Sequence, residues 1–352
     1  MSTQTRVRDW NRVVLNEEAS LKSAIELMGS VSYKLCLVCS KDNVLLGMVT
    51  DSDVRRSLLR GVSLSDPVEL VMNSSPLVVS DDLGEAEVSQ LMLLNGYLHM
   101  PTVDKSGLLT GLHVAKQLLS TEIRDEPFVI MAGGRGRRLM PLTENIPKPM
   151  LPIHGKPILE KIIDKAKIDG FRSFYISVNY LSHLITDYFG DGSDFGVSIN
   201  YLEEDTPLGT AGALKLLPND IISNGIVVTN SDIVTDVSYS ELLDTAKLRQ
   251  VDGLMTVRLQ EWQNPFGVVK TEDNKLVELE EKPTYRHQVN AGVYVLGKRL
   301  LALLREDTYC DMTDLFRTGL QTKLSLEVFP LHEAWVDIGS AEDYKFANLS
   351  AE

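Results

Sequence analysis

Positive charge is scarce in this chain. Lysine and arginine total 35 against 49 aspartates and glutamates, a formal net charge of −14 over 352 residues. That deficit argues against general nucleic-acid binding, which relies on basic patches that neutralise phosphates. It leaves room for a small anionic substrate, because local charge decides that and not the total. Cysteine is scarcer still, at three. Cys36 and Cys39 have a CxxC spacing but lie inside the apolar run Leu35-Cys36-Leu37-Val38-Cys39, no second ligand pair follows, and Cys310 is remote. All three read as structural thiols rather than a metal or redox centre. No apolar run approaches the roughly 20 residues of a membrane span. Residues 1–9 are polar and lack the apolar core of a secretory signal. The expectation is a cytoplasmic protein with no membrane partner.

What remains is an ordinary globular composition, 43% apolar and 24% charged, long enough for two domains with a core in each. The first part repeats. Leu27-Met28 recurs as Leu91-Met92, and Leu46-Gly47 as Thr110-Gly111, both at an offset of 64. Each copy has a strand-like run, a helix-like segment, an apolar strand, a turn and a second strand. The turns are Lys41-Asp42-Asn43 and Asp104-Lys105-Ser106-Gly107, good hairpin chemistry. A helix is expected after each copy, near Ser52 and near Val114. Val49-Thr50-Asp51-Ser52-Asp53-Val54-Arg55-Arg56 resembles the signature of CBS domains. The resemblance implies a tandem pair binding a nucleotide between its repeats, with Thr50 and Asp53 on the ribose and phosphate. The second copy has Val114 and Gln117 at those positions, so one cleft is expected to be weak or empty. The alternative is a pair that only packs and dimerises. A homodimer or larger assembly is expected either way. The repeats span 7–63 and 67–121, the domains 1–124 and 125–352, and the short charged run 122–126 reads as a linker.

From Pro127 onward, strands and helices alternate. Residues 128–130, 173–178 and 225–229 are β-rich, and 159–169 reads as a helix. This alternation predicts an α/β domain: an open, doubly wound, mostly parallel sheet, Rossmann-like, after an α+β tandem pair. Ligands of such sheets sit at the carboxyl ends of the strands. Gly133, Asn179 and Asp232 each follow a strand, so one cleft is expected to hold all three. The first of these strands enters Ala132-Gly133-Gly134-Arg135-Gly136-Arg137-Arg138-Leu139. Glycines there let backbone N–H groups approach a phosphate chain, and Arg138 and Lys148 add charge to hold it. For Arg135 and Arg137, a solvated side chain competes with a phosphate contact.

The loop continues through Pro141-Leu142-Thr143, Pro147-Lys148-Pro149 and Gly155-Lys156-Pro157. As a set these motifs resemble the sugar-nucleotidyltransferases, which join a nucleoside triphosphate to a sugar 1-phosphate. The resemblance implies roles for particular residues. Ala132, Gly133, Gly134 and Gly136, with Glu204, Pro207, Gly209 and Thr210, would bind the nucleotide. Arg138 and Lys148 would act on the phosphates. Asp232 of Asn230-Ser231-Asp232 and Asp337 of Trp335-Val336-Asp337 would share one Mg²⁺. Asn179, Gly267, Glu281 and Lys282 of Glu280-Glu281-Lys282-Pro283, and Asn290 of Asn290-Ala291-Gly292, would hold the sugar phosphate. None of the six histidines lies in these motifs, and none is nominated as a base.

The nucleobase is argued from Glu204. Thymidylyl and uridylyl relatives often carry Gln three residues before the proline, here Pro207. Glu204 only accepts, which suits the neighbouring N1–H and N2–H₂ donors of guanine. The alternative is a solvated Glu204, with the backbone of Gly209 reading the base. Tandem CBS units joined to such a transferase resemble the guanylyltransferases that activate glucosamine 1-phosphate for legionaminic acid on bacterial surfaces. Alternatives are a mannose 1-phosphate guanylyltransferase, a thymidylyl- or uridylyltransferase acting on glucose 1-phosphate, and, from another class, a nucleotide-sensing regulatory subunit. The last would have lost Asp232, Asp337, Lys148 or Lys282, and all four are present.

Overall fold

In the computed structural model the described residues are 6–7, 9–31, 33–115, 123–218, 221 and 225–349. Gln117 and residue 122 of the expected linker lie outside them. The chain divides into two units, Met1–Thr121 and Glu122–Glu352.

In the first unit the repeat is structural. Its first copy comprises β1 (Val14–Asn16), α1 (Leu21–Gly29), β2 (Leu35–Cys39), β3 (Leu45–Thr50) and α2 (Asp51–Leu59). The second comprises β4 (Val79–Ser80), α3 (Glu85–Asn95), β5 (His99–Val103) and β6 (Leu109–Val114). Each copy is a three-stranded sheet whose first pair is parallel and whose second is an antiparallel hairpin. Thr50 closes β3 as Val114, fully buried, closes β6; the helix expected to follow Val114 falls on residues 116–121, outside the described residues. All five residues of β2 are buried. Burial pushes the Cys36 thiol up to about 12 and that of Cys39 to about 11, which keeps both protonated and unreactive at neutral pH. Thr50 and Asp53 close the start of α2 as a capping box. The Thr50 N–H and hydroxyl donate to Asp53 Oδ2 at 2.9 and 2.6 Å, and Arg56 pairs with the other carboxylate oxygen.

The second unit contains, in chain order, β7 (Phe128–Met131), β8 (Pro152–Ile153), β9 (Lys156–Pro157), α4 (Ile158–Ile168), β10 (Ser173–Val178), α5 (Ser182–Phe189), β11 (Ser198–Glu203), α6 (Gly209–Gly212), β12 (Ile226–Asn230), β13 (Ile233–Thr235) and α7 (Tyr239–Arg249). There follow β14 (Gly253–Gln263), β15 (Val268–Glu272), β16 (Lys275–Glu280), β17 (Thr284–Leu296), α8 (Lys298–Leu301), α9 (Met312–Gln321), β18 (Leu326–Leu331), β19 (Trp335–Asp337) and α10 (Ala341–Leu349). Seven strands form the main sheet in the order β11-β10-β7-β12-β17-β14-β18. Only β17 pairs antiparallel with its neighbours. Strand β7 shows why its sequence is continuously apolar. Phe128 and Ile130 enter the core built with α4, α5 and α7, whereas Val129 and Met131 enter the core built with α6, α8 and α9. A strand covered on both faces has no polar side to present.

The charges at the junction are not free in solvent. The Arg124 guanidinium donates to both oxygens of Asp244 on α7, its N–H donates to the Gly170 carbonyl, and Glu126 pairs with Lys247. Among the described residues no helix is long and apolar enough to cross a membrane.

Candidate active site

A cavity of about 410 Å³ opens at the carboxyl ends of β7, β10 and β12. Gly133, Gly134, Gly136, Arg137, Arg138, Lys148, Glu204, Pro207, Gly209, Thr210 and Asp232 all line it. The glycines are there for steric reasons. At Gly133 a Cβ would stand 2.6 Å from Glu204 Oε1. Gly136 has φ +60°, and a Cβ there would meet Thr143 at 3.0 Å and Lys148 at 3.1 Å. The Thr143 hydroxyl donates to the Gly136 carbonyl at 2.9 Å. The loop thus folds onto the segment that delivers Lys148. Arg135 lies over the Tyr180 ring, 5.9 Å from its centroid. Ala132 continues the sheet, its N–H donating to the Ser177 carbonyl and its methyl group buried.

Two acidic groups meet opposite the loop. Strands β13 and β19 pair antiparallel with Ile233 against Asp337, and the Ile338 N–H donates to the Asp232 carbonyl at 3.0 Å. That pairing brings together residues far apart in sequence. Lys148, 9% exposed, forms an ion pair with Asp232 Oδ2. The other oxygens, Asp232 Oδ1 and Asp337 Oδ1, are buried without a hydrogen-bond partner, as is Asn230 Oδ1. Burial, then the charge of Asp232, push the Asp337 carboxyl above the usual carboxylate range, against the pull of Lys148 and Arg138. A hard divalent cation such as Mg²⁺ fits this set, because it takes oxygen donors and offsets the repulsion between two carboxylates.

Acidic character also marks the opposite end. Glu204 is buried, so the solvated alternative does not hold. Its Oε1 accepts from the Ser177 hydroxyl at 2.9 Å and its Oε2 from the Leu208 N–H at 2.8 Å. Asn179 donates from its side-chain amide to the Glu204 carbonyl, which sets it beside Gly133 rather than with the sugar-side residues. Gly267, Glu281 and Lys282 form their own group, and Asn290 lies apart on β17. Gly267 and Glu281 face each other beside the β15–β16 hairpin, where a Cβ on Gly267 would lie 3.0 Å from Glu281 Oε2. Lys282 adjoins them at φ +48°, and the Asn290 amide donates to the Tyr294 hydroxyl at 2.8 Å. None of these four lines the cavity, and neither does Asp337.

Lining residues not nominated from sequence include Ser177, Asn230, Ser231, Gly339, Tyr309 and Asp311. Asn230 and Ser177 flank motif residues and were within reach. Tyr309 and Asp311 carry no motif signal, since Asp311 precedes a helix as an ordinary cap would.

Both units of the chain resemble known families. The family model described as nucleotidyl transferase matches residues 128–352, and that of the CBS domain matches residues 7–60. A UTP–glucose-1-phosphate uridylyltransferase from Synechocystis sp. is 31% identical over 238 residues, covering 61% of this chain and 61% of the relative. A mannose-1-phosphate guanylyltransferase from Mycobacterium tuberculosis is 30% identical over 237 residues, covering 61% and 62%. The bifunctional protein GlmU of Methanocaldococcus jannaschii is 33% identical over 230 residues, covering 62% and 53%. The chain therefore spans between half and two thirds of the length of these curated relatives. Among solved structures, a putative glucose-1-phosphate thymidylyltransferase from Bacillus anthracis superposes with a TM-score of 0.52 at 24% identity, covering 64% of this chain and 94% of that one. HddC from Yersinia pseudotuberculosis does so with a TM-score of 0.50 at 24%, covering 64% and 100%. These structural likenesses establish the fold.

The glycine geometry predicts a contrast between neighbours. Gly133→Ala drives a methyl group into Glu204 and breaks its bond to Ser177, at a cost of about 1–3 kcal/mol for a buried group left unpaired. Gly134→Ala meets nothing within 4 Å and should stay within about 0.5 kcal/mol of wild type. Denaturant unfolding of both variants checks the contrast, and equal losses would refute it.

Proposed function

The chain belongs to the nucleotidyl transferase family, and from that premise we propose that it transfers a nucleoside monophosphate from a nucleoside triphosphate to a hexose 1-phosphate, releasing pyrophosphate. The observation that carries the proposal is the meeting of Lys148, Asp232 and Asp337 across a glycine loop, with two buried carboxylate oxygens unpartnered. An oxygen of the sugar phosphate attacks the α-phosphorus, the new P–O bond forms, and the α–β bridge breaks with its electrons leaving on pyrophosphate. The nucleophile is already ionised at neutral pH, so no protein base is needed. Two anions must approach each other, and catalysis is positioning plus charge compensation. Lys148 and Arg138 supply positive charge to the phosphates, and the backbone at Gly133, Gly134 and Gly136 leaves room for them. Asp232 and Asp337 would hold Mg²⁺, which when bound supplies charge that offsets the repulsion between the phosphates. Gly267, Glu281, Lys282 and Asn290 are proposed for the sugar phosphate, and Asn179, beside Gly133 and Glu204, for the nucleotide end of the cavity.

GTP is the proposed donor and glucosamine 1-phosphate the proposed acceptor. Glu204 lines the cavity and each of its oxygens keeps a lone pair, which supports a base with adjacent donors. The tandem CBS architecture supports the acceptor. A second reading is uridylyl transfer to glucose 1-phosphate. Glu204 is already occupied by Ser177 and Leu208, and the Synechocystis relative is named for that reaction. Pyrophosphate release, with GTP, UTP, dTTP and ATP crossed against glucosamine, N-acetylglucosamine, glucose and mannose 1-phosphates, tests both. GTP with glucosamine 1-phosphate should be fastest, and Asp232→Asn or Asp337→Asn should cut turnover by about 10²-fold or more. Absence of pyrophosphate with every pair would refute the function.

The first unit is proposed to bind a regulatory nucleotide through Thr50 and Asp53. Their capping box already employs both groups, so a nucleotide would compete with the cap or add to it. Calorimetry of the full chain with AMP, ATP, GTP and GDP should show a binding event, separate from donor binding at the transferase cavity, that Asp53→Ala abolishes. An effector coupled to the transferase should shift its substrate affinity by about 5–150-fold. Binding unchanged in Asp53→Ala would withdraw both residues from the role.

A further inference from the structure

Asp311 occupies the N-cap of α9, φ −85° and ψ 156°, yet its side chain makes no capping hydrogen bond. An aspartate there ordinarily accepts from its own helix two or three residues on. Here Oδ1 accepts instead from the N–H and the hydroxyl of Thr210, at 3.2 and 3.3 Å. In exchange the Thr210 hydroxyl accepts from the Met312 N–H at 2.8 Å, so a loop residue serves the helix and the helix cap serves the loop.

The whole of that loop is held the same way. The Leu208 N–H goes to Glu204 Oε2, and the Leu208 carbonyl accepts from the Cys310 N–H. The N–H groups of Ala211 and Gly212 both donate to the Cys310 carbonyl, at 2.9 and 3.0 Å. At Gly209, φ +80°, a Cβ would lie 2.6 Å from the Cys310 carbonyl oxygen. Backbone packs on backbone there, and only glycine fits. Between Pro207, which has no N–H, and Gly212, the Gly209 N–H alone carries no hydrogen bond among the described residues. Gly209 lines the cavity, as do Thr210, Asp311 and Tyr309. Tyr309 is 61% exposed, and its hydroxyl donates to Asp311 Oδ2 at 2.9 Å.

We propose that Asp311 is a positioning residue of the nucleobase subsite, which clamps residues 208–212 so that the free Gly209 N–H is presented to the base, with the Tyr309 ring held beside it. The inference rests on the reading of the cavity as a nucleoside triphosphate site. A residue that breaks its own local rule without an evident gain in stability is where function is to be sought.

Calorimetry of the full chain with GTP, UTP and inorganic triphosphate separates the possibilities without requiring turnover. In Asp311→Ala both nucleotides should bind about ten-fold more weakly, the worth of one lost hydrogen bond in a dry site, whereas inorganic triphosphate, held at the glycine loop and Lys148, should bind as in wild type. Asp311→Asn keeps an acceptor for Thr210 and should restore nucleotide binding. If Asp311→Ala does not fold, Thr210→Val, at the other end of the same bond, should give the same split. Unchanged nucleotide affinity, or a parallel loss of inorganic triphosphate, overturns the inference. Asp311→Asn binding as weakly as Asp311→Ala assigns the effect to charge and overturns it too. A wild-type protein that binds GTP and UTP no better than inorganic triphosphate refutes the nucleotide reading itself.

Discussion

Everything in the candidate site depends on the pairing of β13 with β19. It sets the Ile338 N–H on the Asp232 carbonyl and so places Asp337 beside Asp232. Burial raises the pKa of Asp337 most, and the charge of Asp232 beside it raises it further. Lys148 offsets part of that charge from one side. The buried, unpartnered oxygens mark where further positive charge would be stabilised. A protein that needed only a stable fold would gain by replacing such a pair with apolar side chains. The arrangement is coherent when its task is to hold a cation between phosphates.

The cavity divides its labour along the sheet. The elements proposed to face the phosphates come from the loop after β7, where the absence of side chains matters most. The acidic pair comes from the end of β12 and from β19. The far end is made by the loop 207–212, held from below by Glu204 and from behind by the stretch 308–312. Two carboxylates that accept from backbone N–H groups fix that loop more firmly than apolar packing alone would. Rigidity there favours discrimination between bases, because a mobile loop could adapt to any of them.

Legibility followed the range of the interactions. Gly133, Lys148 and Asp232 were readable because each sits in a short motif next to a strand, and the doubly wound sheet follows from alternating apolar runs. The repeat in the first unit was readable from self-similarity alone. Glu204 was harder. In Glu203-Glu204-Asp205 it looks like part of a solvated acidic turn, yet Glu203 is exposed and Glu204 buried, and only the partners Ser177 and Leu208 explain the difference. Arg124 and Glu126 resembled a loose linker until Asp244 and Lys247 supplied their partners from more than a hundred residues away. Asp311 was invisible for the same reason: its bond to Thr210 spans 101 residues, and its sequence context is that of any helix cap.

The central claim is that Asp232 and Asp337 together hold a divalent cation for phosphoryl transfer. Titration of Mn²⁺ into the full chain, followed by loss of the free-ion electron paramagnetic resonance signal, tests it most directly. The account predicts that wild-type protein captures the ion, more tightly when a nucleoside triphosphate is present, and that Asp337→Asn does not. Capture by Asp337→Asn equal to that by wild type, or none by wild type with the nucleotide bound, would contradict it.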